Sequence, residues 1–119
     1  MSYKNTLGNV AQLILDEYEM AKNDHGKKFR SMHEGYAVLL EEIEEAKDEL
    51  DLIMNDVHLK YMWNAVKHDD EEAATDAAHI IRTRAACLAC EAVQVAAMAT
   101  KFLVSFADGE EDGDEKFTD

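Results

Sequence analysis

No proline interrupts this chain of 119 residues, and glycine occurs only five times. Proline removes a helical hydrogen bond and clashes with the preceding turn, so its absence leaves long helices unopposed. Ala, Glu, Leu, Met and Lys, which lose little rotamer freedom in a helix, are plentiful, and β-branched runs are few. The chain is therefore expected to be all-α. Apolar residues make up 47% of it, enough for a core, and its length suits one domain. We read 1–107 as a single helical domain. Residues 108–119, with seven acids and one lysine, read as a disordered acidic tail.

Helical spacing divides the domain. Val10, Leu13, Ile14 and Tyr18 share one side of a first helix over about Thr6–Asn23, and Gly26 suits the left-handed position that ends it. Lys27, Lys28 and Arg30 follow as a small basic island. Ser31 and Glu34 fit a capping box opening a second helix. Its seam, Leu39, Ile43, Ala46, Leu50, Ile53 and Val57, repeats at 4, 3, 4, 3 and 4 residues and is expected to pack against other helices. A short helix carries Leu59, Met62, Trp63 and Val66, with Trp63 in core packing. After the acidic turn 68–72 a long helix runs to about Phe106, bent or interrupted before Ala85.

A formal charge of −14 repels phosphate backbones and excludes nonspecific binding to DNA or RNA. It leaves room for a phosphate ligand bridged by a cation, and for an acidic protein that occupies a basic partner. Two cysteines are too few for a disulfide scaffold, and Met1–Val10 lacks the pattern of a signal peptide, which together suit a reducing cytoplasm. Ala85–Ala107 is long and apolar, but Glu91, Gln94 and Lys101 within it favour a buried soluble helix over a membrane span. Cys87 and Cys90 have no zinc-ligand partners and read as small buried side chains. None of the five histidines shows ligand spacing, and no Ser/His/Asp set is visible.

The carboxylates carry more information. At about 100° per residue, Glu42, Glu45 and Glu49 gather in one stripe beside the seam of the second helix, with Glu41 a little further round. Such a stripe is either a solvated acidic face or a site for a hard divalent cation, which prefers oxygen ligands. Glu91 is the only acid between Ala85 and Ala107. A carboxylate in apolar surroundings must reach solvent, stay protonated or find a positive partner. A metal shared with Glu42 and Glu45 from a facing helix would supply one.

The string from His33 to Glu45, containing Glu41-Glu42-x-x-Glu45, resembles the first helix motif of the MazG-like all-α nucleotide pyrophosphohydrolases. The stretch from Glu91 through Gln94 to Ala99 resembles their second motif, normally Glu-x-x-Asp. Two departures stand out. Gln94 replaces the Asp, and the 45 residues between Glu45 and Glu91 exceed the usual family gap. The resemblance covers about residues 5–106 and implies a four-to-five-helix bundle of the all-α NTP pyrophosphatase type. It implies hydrolysis of a nucleoside triphosphate to the monophosphate and pyrophosphate. Glu42, Glu45 and Glu91 would hold Mg²⁺ (or Mn²⁺), with Gln94 and Glu49 as further metal ligands. Glu41 would be catalytic, orienting or deprotonating water, and Lys27, Lys28, Arg30 and Arg84 would contact phosphates. It also implies a homodimer or homotetramer, and we place the self-association surface on the Ala- and Met-rich end of the last helix. Gln94 keeps a second reading open, a catalytically degenerate homologue that binds nucleotide or metal.

Overall fold

A computed structural model of the protein describes residues 2–55 and 57–107, with backbone alone at 55, 57 and 58. It is all-α, with helices α1 (Tyr3–His25), α2 (Met32–Asn55), α3 (Val57–Lys67) and α4 (Glu71–Phe106). The predicted acidic tail lies outside the described residues.

Local chemistry explains the helix ends. The Ser2 hydroxyl accepts the Asn5 N–H at 3.2 Å to start α1, about three residues earlier than its apolar pattern suggested. Gly26 ends it with φ 93°, a backbone conformation open to glycine, and donates its N–H to the Lys22 carbonyl at 3.1 Å. At the start of α2 the Ser31 hydroxyl accepts the Glu34 N–H at 3.1 Å. The return half of the predicted capping box is different: Glu34 accepts the backbone N–H of Arg30, at 2.8 Å. Asp69, at φ 52°, turns the chain out of α3, and Asp70 caps α4 by accepting the Ala73 N–H at 3.0 Å.

The expectation of a four-to-five-helix bundle of the NTP pyrophosphatase type needs correction. Three long helices, of 23, 24 and 36 residues, carry the fold, and α3 is a short insert of 11 residues. The predicted break before Ala85 does not occur. Thr83-Arg84-Ala85-Ala86 holds neither Gly nor Pro, so nothing in it opposes continuation of the hydrogen-bond ladder.

The described residues form two compact units, the first comprising 2–42 with 93–107 and the second 43–92. The first has a dense core. Tyr18, Phe29, Ala97, Met98 and Val104 are buried together, with Ala21, Val38, Leu39 and Phe102 packed against them. Phe102 meets Phe29 at a tilt, with ring centroids 6.4 Å apart, and Phe106 edge-on, 4.8 Å away. Gly35 lets α2 approach this ring: a Cβ there would lie 2.6 Å from Phe102 Cδ2. Ser105 Oγ accepts the Phe29 N–H at 2.9 Å and donates to the Lys101 carbonyl at 2.7 Å, tying the α1–α2 connection to α4.

The second unit is different. Among its described side chains only Ala65 and Ala77 are buried. Several predicted core residues are exposed: Trp63 at 60%, Ile43 at 48% and Leu50 at 44%, and in α1 of the first unit Leu13 at 55%. Periodicity placed them on an apolar side of their helices but could not say whether another element covers that side. Cys87 and Cys90 are also exposed and free, not buried as their Ala-rich setting suggested. By length and composition α4 could cross a bilayer, yet its C-terminal half lies in the core of the first unit, where Ala97, Met98, Thr100, Lys101 and Val104 are buried.

Candidate metal centre

Two helices supply the acids. Glu42 and Glu45 stand one turn apart on α2, and Glu91 stands on α4. Each offers one carboxylate oxygen, and the three atoms lie within 4.8 Å of one another. Glu42 and Glu91 are half-buried and Glu45 is exposed. The three residues singled out in the sequence as a shared ligand set are therefore together.

The electrostatics of the second unit register the crowding. Lost hydration, followed by the charge of Glu91, a hydrogen bond shared with Glu91 and the charge of Asp48, holds the Glu45 carboxyl above the usual carboxylate range. Glu91 Oε2 is buried and has no hydrogen-bond partner. A buried carboxylate oxygen left without a donor is costly, and a cation removes both the repulsion and the deficit. Three carboxylate oxygens form a hard donor set suited to Mg²⁺, Mn²⁺ or Ca²⁺. The cluster does not single out Mg²⁺ among these ions.

The other predicted residues are placed differently. Glu49 is turned to Arg84, whose Nη1 lies 3.4 Å from Oε1, while Glu49 Oε2 is buried without a partner. Arg84 is thus engaged by a carboxylate. So is Arg30, which donates from Nε and Nη2 to Glu34 Oε2 at 2.9 and 2.7 Å, lowering the Glu34 carboxyl below its ordinary range. Lys27 and Lys28 are exposed just beyond Gly26. Glu41 is exposed and is not among the three converging acids.

Gln94 is half-buried and lines a cleft of about 310 Å³ in the first unit. Met20, Phe29, Val38 and Met98 form apolar wall there, and Glu17, Asp24, His25, Glu42 and Lys101 join Gln94 as polar lining. Lys101 is only 5% exposed, and its ammonium stands 4.6 Å from the centre of the Phe29 ring. Sequence reasoning used Lys101 as an argument against a membrane span and did not place it in a cleft. The available signal was that it is the lone cation of an otherwise apolar helix end.

No protein-family model, no curated protein and no solved structure matches this chain. The MazG-like resemblance therefore rests on its own residues in α2 and α4.

Proposed function

We propose that this protein binds a divalent cation, alone or as its nucleoside triphosphate complex, through Glu42, Glu45 and Glu91, and that it does not turn the nucleotide over. One observation carries the reading: Glu42, Glu45 and Glu91 each bring a carboxylate oxygen within 4.8 Å of the others, and Glu91 Oε2 is buried without a hydrogen-bond partner. Three features favour binding without hydrolysis. Gln94 brings no charge where the resembled family has a carboxylate. Arg30 and Arg84, two of the four candidates for phosphate contact, are already held by Glu34 and Glu49. Glu41 lies outside the converging trio.

A second reading is the MazG-like, Mg²⁺-dependent pyrophosphohydrolase itself, with Glu41 as the catalytic residue. It is supported by the string from His33 to Glu45 and by the convergence of Glu42 and Glu45 from that string with Glu91.

Calorimetric titration with Mg²⁺, Mn²⁺ and Ca²⁺, followed by a nucleotide panel read for pyrophosphate, separates the two. We expect saturable binding of at least one cation, weakened about 10-fold or more in Glu91→Gln by loss of a charged ligand, a factor of the size seen when metal sites lose supporting groups. No pyrophosphate should appear. Release that disappears in Glu42→Gln would establish the hydrolase. Absence of cation binding would defeat both readings and leave an acidic partner-blocking protein.

A further inference from the structure

We propose that Cys87 and Cys90 form a binding site for a soft monovalent metal ion, Cu(I), distinct from the glutamate trio and independent of the cation reading. The starting point is that both thiols are exposed and free. Free cysteine is among the most buried residue types, so a thiol on open surface is explained by its chemistry rather than by its packing.

Helix geometry brings the two sulfurs together. The helix α4 runs without a break from Glu71 to Phe106, so Cys87 and Cys90 stand at i and i+3 in regular helix. Side chains at that spacing are neighbours, with Cβ atoms about 5–6 Å apart. A disulfide needs Cβ atoms about 3.5–4.5 Å apart, so a direct S–S bond would have to distort the helix. An ion held between the sulfurs lengthens the bridge by one atom and spans the gap with the helix intact. Side chains on a helix lean toward its N-terminus. The residues one turn back from the thiols, Thr83 and Ala86, are small and exposed, which leaves the pair open to an incoming ion.

The donor set selects the ion. Thiolates are soft ligands that favour Cu(I), Zn²⁺ or iron–sulfur clusters over Mg²⁺ and Ca²⁺. A structural zinc site takes four ligands and an iron–sulfur cluster four cysteines. This chain has two cysteines. Among the described residues, the one group of three His, Cys, Asp or Glu side chains close enough to share an ion is Glu42, Glu45 and Glu91. The thiols therefore have no third protein ligand with them. Cu(I), a closed-shell monovalent ion, is satisfied by two sulfurs in line. Glu91 stands one turn beyond Cys87, yet its carboxylate gathers with Glu42 and Glu45 and the thiols stay outside that group. Hardness separates the two sites as well, since the carboxylates favour divalent ions that prefer oxygen.

Cu(I) itself is the probe. Reduced protein, titrated without oxygen into the coloured Cu(I) complex of bathocuproine disulfonate, should remove the colour with one ion per chain, and excess Mg²⁺ should not interfere. Cys87→Ser and Cys90→Ser should each weaken binding about 100-fold or more, because losing a group that merely supports a metal ligand already costs roughly 10- to 100-fold. Combining Cys90→Ser with Ala89→Cys keeps two thiols but sets them about 200° apart around the helix, and should bind no better than the single variants. Glu91→Gln should bind Cu(I) as wild type does, and sedimentation should show no gain in mass when copper is added. Failure to take copper from the probe overturns the proposal. So does wild-type binding in the displaced pair, which would make the spacing irrelevant. A loss in Glu91→Gln would put the ion on the carboxylates, and a copper-dependent doubling of mass would put it between thiols of two chains; either result overturns the proposal too.

Discussion

Gly35→Ala and Gly8→Ala make the same chemical change in two surroundings. Both glycines sit inside helices, where alanine is favoured by about 1 kcal/mol. At Gly8 a Cβ meets nothing within 4 Å, so the helical gain should appear undiminished, as about 1 kcal/mol of added stability. At Gly35 the Cβ would lie 2.6 Å from Phe102 Cδ2, 2.9 Å from Cε2 and 3.0 Å from Phe29 Cδ2. The Phe102 ring cannot simply swing aside, because Phe29 and Phe106 flank it. With two ring atoms in conflict, the overpacking cost falls in the upper part of its usual range, about 2–3 kcal/mol. Gly35→Ala should therefore lose about 1–2 kcal/mol net after the helical gain. Thermal unfolding followed by far-UV circular dichroism reads both variants, with about 4–8 °C expected per kcal/mol in a domain near this size. The melting temperature should rise for Gly8→Ala and fall for Gly35→Ala. A Gly35→Ala protein as stable as wild type would refute the argument, because it would mean that α2 and the phenylalanine cluster are not in the close contact described.

Further outcomes follow from the same chemistry. Glu45 holds its proton more tightly in the folded chain than in the unfolded one, because hydration is lost and Glu91 is near. In chelator, its contribution to stability is therefore present at low pH and is lost as pH rises from the ordinary carboxylate range through the raised value. Urea midpoints of wild type minus those of Glu45→Gln should fall across that window and then level off; a rising difference would show the sign to be wrong. A cation must displace the same proton, so calorimetric affinity should increase with pH there, with proton release. Arg84→Met leaves the Glu49 carboxylate, 16% exposed, without its donor. The cost should be only about 1 kcal/mol, since the pair is long and Arg84 is 40% exposed. Denaturant unfolding should show that loss, and adding Glu49→Leu should recover it. Ser31→Ala removes the acceptor for the Glu34 N–H and should cost about 1 kcal/mol in the same assay, with Ser31→Asp close to wild type.

The helical class was legible before any coordinates, because it depends on local quantities: no proline, few glycines, strong helix formers, a hydroxyl cap at Ser31 and a glycine stop at Gly26. The likelihood that Glu42 and Glu45 share a face also follows from one helix's period, and Glu91 was conspicuous as a lone acid among apolar neighbours. What tertiary structure decided was every matter of what lies opposite. It brought Glu91 to the α2 pair, turned Glu49 toward Arg84, and put Lys101 beneath the Phe29 ring. It also left Trp63, Ile43 and both cysteines uncovered, although their spacing looked like that of a core. The reason is physical. Periodicity records which side of a helix is apolar, whereas burial, ion pairing and metal geometry depend on distances between residues far apart in the chain, and those distances exist only once the helices have packed.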